Sequence, residues 1–368
     1  MVKEIKRWYG DSIYTEPLSP GCKLCAKGAK LVLLVTGLCP ASCFYCPLSE
    51  KKRKKDVIYA DEWKLDNEKD TGKILRECEL INAEGAGITG GDPLVKWERT
   101  RDYIVLLKEI FGEKFHIHLY TSGLKNGERI GELISAGLDE IRFHPMPPFW
   151  SRMEKSSIGK IIKKVVREDV DVAVEIPAIP GMEEEIKSLI MWSDGTGLKW
   201  VNLNELEFSP TNADELIKRD FDVKNEISSA VKGSEETAIS VIEELHEEVS
   251  LGLHYCSSSF KDAVQMKNRL KRRAKNVAGD MDIVTDEGLL IKGVVECRDK
   301  NFVNSLIERY GIPRNLIRYD GEKRRIEIAP WILEEIAGDL KEEGLDCYIV
   351  EEYPTADRLE VERTPLNR

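Results

Sequence analysis

Between residues 30 and 205 short apolar runs alternate with amphipathic ones, and this alternation restricts the fold more than any other feature of the chain. Lys30–Gly37, Ala86–Thr89, His116–Thr121, Glu140–His144, Asp171–Ile176 and Lys199–Glu205 read as six strands. Trp63–Glu84, Arg99–Phe111, Glu128–Ala136, Ile158–Arg167 and Glu183–Trp192 read as the helices between them. Parallel strands need long crossovers, usually helical, so this order predicts an α/β fold with a parallel sheet. Two architectures share the pattern. One is a partial (βα)6 TIM-like barrel and the other a doubly wound open sheet.

The flanks differ in character. Residues 1–29 form a polar, turn-rich extension carrying Cys22 and Cys25 in Gly21-Cys22-Lys23-Leu24-Cys25. The core runs over 30–260, with a further helix at Ser234–Glu248 and a short seventh strand or return loop at Gly252–Cys256. Residues 261–279 read as a basic helical linker, with Lys261, Lys267, Arg269, Lys271, Arg272, Arg273 and Lys275 against Asp262. Residues 280–368 then run strand, helix, hairpin, helix, hairpin, the order of a ferredoxin-like α/β module.

The cysteines are the chemical signal. Five of nine, Cys22, Cys25, Cys39, Cys43 and Cys46, fall within one short window. An odd number fits a reducing cytosol better than a disulfide framework, which points to metal ligands and buried thiols. Thr36-Gly37-Leu38-Cys39-Pro40-Ala41-Ser42-Cys43-Phe44-Tyr45-Cys46-Pro47 sets three of them at a CxxxCxxC spacing directly after the first strand. Three thiolates in one loop can hold one face of an iron–sulfur cluster and leave one iron without a protein thiolate. Zinc is the alternative, because Cys43 and Cys46 with Cys22 and Cys25 would make a closed four-ligand set. Cys78, Cys297 and Cys347 lie singly and read as core residues. After the second strand comes Gly90-Gly91-Asp92-Pro93, where two glycines let backbone approach a ligand without Cβ interference.

The cysteine spacing, Tyr45 before the last cysteine, the strand ahead of them and the Gly-Gly-Asp-Pro loop together resemble the radical S-adenosylmethionine (SAM) superfamily, over residues of about 20 to 260. That resemblance implies a 4Fe-4S cluster on Cys39, Cys43 and Cys46, with the amino and carboxylate groups of SAM on the fourth iron. It implies that one electron from a low-potential donor of ferredoxin or flavodoxin type cleaves SAM to a 5′-deoxyadenosyl radical, which takes hydrogen from a substrate. In such enzymes backbone of the Gly90–Pro93 position holds the methionine amino group, with Asp92 here in place of Glu. The backbone at Tyr45 bonds the adenine edge, and the Ile176–Gly181 segment would wall it. Strand ends line the mouth of a barrel, which makes Thr121, Ser122, Arg142, His144, Asn202, Asn204 and Glu205 candidates for the ribose and carboxylate. The likeness is closest to activating-enzyme-like members. Some members carry auxiliary clusters, and Cys22, Cys25 and Cys256 are candidates for one.

The substrate stays open between a macromolecule (tRNA or protein) and a small molecule, with a non-catalytic zinc protein as a third reading. A net charge of −11 excludes a general polycation, so RNA binding would need a local patch such as Lys51-Lys52-Arg53-Lys54-Lys55 or the 261–275 stretch. The same cations would suit an acidic electron donor, and a solvated surface explains them equally well. No run approaches a membrane span, and the first residues do not open like a signal peptide. The expectation is a cytoplasmic protein without membrane contact.

Overall fold

The computed structural model describes residues 3–366, and the chain forms two compact units. The first comprises Met1–Glu79 and Ala83–Met266, the second Leu80–Asn82 and Lys267–Arg368.

Seven parallel strands form the centre of the first unit: β1 (Lys30–Thr36), β2 (Gly85–Gly90), β3 (His116–Thr121), β4 (Glu140–Phe143), β5 (Asp171–Ala178), β6 (Trp200–Glu205) and β7 (Gly252–Cys256). Among these seven, each pairs only with the one before and the one after it in sequence. A doubly wound sheet reverses strand order at a switch point, and no reversal occurs here. The winding is that of a partial barrel, which removes the ambiguity in the sequence pattern. β1 and β7 do not pair with each other. The hairpin Tyr59–Ala60/Trp63–Lys64 covers the free edge of β1, and Lys6–Arg7/Ile13–Tyr14 covers that of β7. Exposed edges invite pairing with other chains, and both are closed internally.

Strand periodicity sorts the side chains. Leu31, Leu33, Val35, Ile88, Ile117, Leu119, Ile141, Val174, Val201 and Leu253 form one fully buried apolar layer. The crossover helices complete it from their own apolar stripes: Ile104 and Leu107 on α3 (Trp97–Phe111), Ile158 and Ile162 on α5 (Ser157–Val165), Ile186 and Leu189 on α6 (Glu183–Thr196). The remaining helices of this layer are α2 (Thr71–Leu80), α4 (Ile130–Ser135) and α7 (Ser234–Leu245). α2 is shorter than the predicted 63–84 helix. Trp63–Lys64 pairs as a strand, and an Asx turn at Asn67 and a bond from Asp66 N–H to the Asp70 carboxylate break the next stretch before Thr71.

The opposite, concave face of the sheet is polar. It carries Lys30, His118, Tyr120, Glu140, Arg142, Glu175, Asn202 and His254, most of them buried. Barrel interiors are usually packed with branched apolar side chains. Here a short helix, α1 (Pro20–Ala26), fills the space instead. It starts with Pro20 after a Ser19 cap. It lies so close that a Cβ on Gly21 would sit 2.7 Å from Arg142 Nη2 and 2.9 Å from His118 Nδ1. Of the turn-rich extension expected at 1–29, residues 19–26 therefore fill the barrel's interior, while the 6–14 hairpin covers a sheet edge.

The predicted 261–279 linker is not a separate piece. It contains a π-turn at Lys261–Met266 and then α8 (Lys267–Val277), and the unit boundary falls between them. In the second unit β8 (Leu290–Val295), β9 (Ile317–Asp320), β10 (Arg325–Ile328), β11 (Cys347–Glu352) and β12 (Glu360–Pro365) lie in the order β9-β10-β8-β11-β12, all antiparallel. With α9 (Phe302–Tyr310) after β8 and α10 (Pro330–Glu342) after β10, this is a ferredoxin-like βαββαβ sheet with two added strands, β12 at one edge and the short Ile283–Val284 strand paired antiparallel to β8. Val295, Leu306, Ile326, Ile328, Leu333 and Leu340 form its core.

Buried ion pairs also hold the second unit together. Glu327 and Glu352 are fully buried, and Lys292, Arg325 and Arg358 surround them, with Lys292 Nζ–Glu352 Oε1 at 2.6 Å and Arg325 Nη2–Glu327 Oε1 at 2.8 Å. Lys292 and Arg358 hold Glu327 far below the ordinary carboxylate range despite its burial. A depressed folded-state pKa adds stability above the unfolded value of about 4.3 and loses it as pH falls below that. We expect denaturant stability to drop progressively below about pH 4.5, with Glu327→Gln flattening that slope. Arg325→Met, which strands buried carboxylates, should cost about 3–5 kcal/mol in urea unfolding at pH 7.

Candidate active site

The cysteine loop is clamped at its base by backbone. Gly37 N–H donates to Lys55 O at 2.8 Å, and Lys54 N–H donates to Gly37 O at 2.8 Å. The approach leaves no room for a side chain, since a Cβ on Gly37 would lie 1.7 Å from Lys52 O. The strap after β2 presses on the same place. Gly91 N–H donates to Thr36 O at 2.7 Å and Asp92 N–H to Leu38 O at 2.8 Å. A Cβ on Gly91 would sit 2.3 Å from Leu38 O, and Gly90 has φ +149°. Glycine is required at each position for contact rather than for flexibility.

Within the loop Cys46 N–H donates to Cys43 O at 3.3 Å, forming a turn. Cys39 is exposed while Cys43 and Cys46 are half-buried. Burial raises the half-buried Cys43 thiol above its ordinary pKa, and a metal that binds there displaces the thiol proton. The Tyr45 hydroxyl lies 3.0 Å from His144 Nε2 at the end of β4. Burial keeps that imidazole neutral by lowering its pKa.

A second clamp comes from the loop after β6, which the sequence reading did not single out. Asn212 Nδ2 donates to Tyr45 O at 3.0 Å and to Glu207 O at 2.9 Å, and Asn212 Oδ1 accepts from Ser209 N–H at 2.7 Å. Arg53 Nη1 donates to Thr211 O at 3.1 Å. The signal was a Ser-Pro-Thr-Asn turn directly after a strand, a sequence that builds side-chain-to-backbone turns.

Asp92 is wholly buried. Its carboxylate accepts from Thr121 Oγ1 at 2.8 Å, Ser122 N at 3.0 Å, Ser122 Oγ at 2.5 Å and Leu94 N at 3.0 Å. Burial pushes this carboxyl's pKa up while the four hydrogen bonds oppose the rise. Asp92 thus ties the end of β2 to the end of β3 and caps the Pro93–Lys96 turn. What the motif leaves for a ligand is the backbone of Gly90 and Gly91, with Thr121 and Ser122 serving as struts.

Arg142 is turned away from the mouth, contrary to the sequence expectation. Its Nε donates to Glu140 at 2.6 Å, Nη1 to Tyr120 Oη at 3.1 Å and Glu175 at 2.7 Å, and Nη2 to Ser19 Oγ at 2.9 Å and Cys22 Sγ at 3.4 Å. All five N–H groups are used. Asn202 and Asn204 also donate to Glu175, each at 2.9 Å. Glu205 is likewise occupied, accepting from Ser258 N and Oγ at 2.7 Å. Glu175, a charged residue inside the apolar run Asp171–Ala178, was the visible sign of this network.

Cys22 and Cys25 face Arg142, Glu140 and Glu175, whereas Cys39, Cys43 and Cys46 face one another and Asp92 or Arg53. The fold separates the two sets, so the shared zinc site that the spacing allowed is not formed. Among the described residues no three His, Cys, Asp or Glu side chains stand close enough for a single ion. The mouth trio, three soft sulfur donors on one loop, suits a larger cluster with one open iron.

A family model described as the radical SAM superfamily matches residues 33–145, the stretch holding this loop and the glycine strap. Over its whole length the chain resembles a Methanocaldococcus jannaschii protein, provisionally named glycyl-radical enzyme activating enzyme MJ0021. The two are 43% identical over 99% of this chain and 96% of the other. The chain belongs to the radical SAM superfamily. A Methanopyrus kandleri protein, provisionally named GTP 3′,8-cyclase, is 31% identical over 29% of this chain and 31% of its own. Among solved structures, Streptococcus suis SuiB bound to SAM matches at 11% identity and a TM-score of 0.42, over 62% of this chain and 50% of that one. SuiB bound to its precursor peptide SuiA matches at 12% and 0.44, over 69% and 58%. Residues 288–366 match a domain of unknown function, DUF8061. This radical SAM enzyme therefore takes the superfamily's 4Fe-4S cluster and SAM as cofactors.

Removing the second clamp tests this account of the site. Asn212→Ala leaves the Tyr45 carbonyl and Ser209 amide unpaired and should lower stability by about 1–3 kcal/mol. Iron should also leave the reconstituted protein faster under a chelator, measured by absorbance decay.

Proposed function

We propose that this radical SAM enzyme abstracts hydrogen from a protein substrate, in the manner of an enzyme that activates a glycyl-radical partner. The observation that carries this reading is the full-length 43% identity to the M. jannaschii protein so named. With cluster and SAM bound, the cofactors supply an electron and a hydrogen-abstracting carbon radical. The chain's own residues position them. The clamped 38–53 loop holds the three thiolates, and Gly90 and Gly91 offer backbone to the SAM amino group. Tyr45, tethered by His144 and Asn212, would offer its backbone to the adenine edge.

The basic stretches weigh against RNA. In Lys51–Lys55 the Lys52 ammonium sits 4.5 Å over the Tyr59 ring, Arg53 holds Thr211, and Lys54 and Lys55 close the loop through backbone. The run is first of all the loop's fastening. Its exposed members, Lys51, Lys54 and Lys55, flank the cluster loop and suit an acidic ferredoxin- or flavodoxin-type donor. No helix among the described residues is long and apolar enough to cross a membrane, and none of the nine cysteines is in a disulfide. We infer a cytoplasmic setting, where thiols stay reduced.

The auxiliary 4Fe-4S cluster expected on Cys22, Cys25 and Cys256 is not part of this reading. Cys22 Sγ is packed at hydrogen-bond distance against Arg142, Asn202 and His254, which fill the space an iron would take.

Deuterium transfer separates the substrate classes. Cell lysate from cultures grown on dideuterated glycine, treated with the reduced enzyme and SAM, should put deuterium into 5′-deoxyadenosine. Protease pretreatment should abolish the transfer. Loss with ribonuclease instead, or survival of both treatments in an ultrafiltrate, would replace the protein reading with RNA or a small molecule respectively.

A further inference from the structure

The cysteine loop lies at the protein surface. Cys39, Pro40, Ser42 and Pro47 are exposed, whereas Tyr45 is buried and turns inward to His144 at the end of β4. The loop therefore has an inner face toward the barrel and an outer face toward solvent. Phe44, beside Cys43, is half-buried and carries the Arg219 guanidinium 4.4 Å over its ring.

Five cations follow in a row, Lys51 to Lys55, on a chain whose net charge is −11. The run divides in two. Lys52 and Arg53 are half-buried and are spent on Tyr59 and Thr211. The Lys51, Lys54 and Lys55 side chains are exposed and enter no hydrogen bond or ion pair among the described residues. The adjoining acids do not cancel them. Asp56 is held by Lys96 Nζ at 3.0 Å and Arg99 Nη1 at 2.7 Å, which leaves Glu50 alone against three lysines. A charge run is ordinarily a solvated surface, but this one is pinned. The backbone bonds of Gly37 to Lys54 and Lys55 hold it against the base of the cysteine loop.

We propose that Lys51, Lys54 and Lys55 form the docking surface for an acidic one-electron carrier protein, whose electron enters through the outer face of the cysteine loop while the barrel mouth stays free for SAM. This rests on the donor named under the proposed function and adds where it binds. The carrier loses one electron and the mouth cluster gains it, with no bond made or broken. The acidic remainder of the chain repels such a carrier and the lysines attract it, so the patch acts chiefly on the association rate. Its ammonium groups are exposed, so salt screens their pull, over a Debye length of about 10 Å at 0.1 M. A carrier seated here stands against exposed Cys39 itself, and the electron needs no intermediate site in the protein.

The test uses the full chain with its cluster reconstituted anaerobically, and no substrate, so that it reads docking and electron delivery alone. Bleaching of the cluster absorbance gives the rate of reduction by a reduced acidic ferredoxin and, in separate runs, a reduced flavodoxin. Calorimetry with the oxidised carriers gives Kd. Changing Lys51, Lys54 and Lys55 together to Gln should slow reduction about tenfold or more at low salt and flatten its salt dependence. Changing all three to Arg should keep both. A low-potential viologen radical cation should reduce the Gln protein at least as fast as the unmodified one. Saturating SAM should leave the carrier's Kd unchanged in the oxidised enzyme. A Gln protein that keeps the rate and salt dependence with both carriers overturns the docking assignment. Equal slowing by carrier and viologen also overturns it, by making the lysines part of the loop's own fold. Displacement of the carrier by SAM overturns the separate faces. Tight tRNA binding that the Gln changes abolish, with no binding of either carrier, gives the surface to RNA instead. None of these results touches the substrate reading, which deuterium transfer decides.

Discussion

At Gly37, Gly90 and Gly91 three stretches of backbone meet more closely than any side chain allows, and the cysteine loop depends on that contact. The end of β1, the strap after β2 and the Lys52–Lys55 return share carbonyls and amides in one knot. Hydrogen bonds of this kind each contribute about 1 kcal/mol net, but their geometric effect is larger. They fix where the loop leaves the sheet, while Asp92, Thr121 and Ser122 fix the neighbouring strand ends. Asn212 then fixes Tyr45 from the opposite side of the barrel. A ligand bound at the mouth meets a surface whose position was settled before it arrived, which is how a protein contributes to cofactor chemistry.

The same sheet is built on a different principle at its foot. There the concave face is charged, and it is tolerable only because α1 brings Ser19 and Cys22 into the network and lets every N–H of Arg142 find an acceptor. Buried charge stranded without partners costs several kcal/mol. Residues 19–26 of the extension are therefore an integral part of the barrel's interior. Within the barrel unit, one end is lined by backbone and the interior below it is polar and filled by α1.

The sequence disclosed some parts of this and hid others for physical reasons. Strand positions were readable because the helix-facing residues, such as Leu31, Leu33 and Val35, are uniformly apolar. The cysteine triplet and Gly90-Gly91 were readable because their chemistry demands those residues at that spacing. The mutual pairing of Glu140, Arg142 and Glu175 was hidden, although Glu175 stood out as a charge inside an apolar run. A charged residue alternating with apolar ones in a strand normally faces water, and nothing local shows that a helix from residues 20–26 will cover it. Arg142 was accordingly expected at the mouth. Asn212 was hidden because a turn asparagine looks the same whether it serves its own loop or one more than 150 residues away. The 63–84 stretch was misread because its helical residues begin only after two polar turns.

The central claim is that the knot at Gly37, Gly90 and Gly91 presents Cys39, Cys43 and Cys46 as a cluster site that cleaves SAM. Quantifying 5′-deoxyadenosine and methionine from the anaerobic, chemically reduced protein tests it most directly. The account predicts both products in equal amounts, and neither in a variant lacking Cys39, Cys43 and Cys46. Intact SAM after incubation with a fully iron-loaded, reduced enzyme would contradict it.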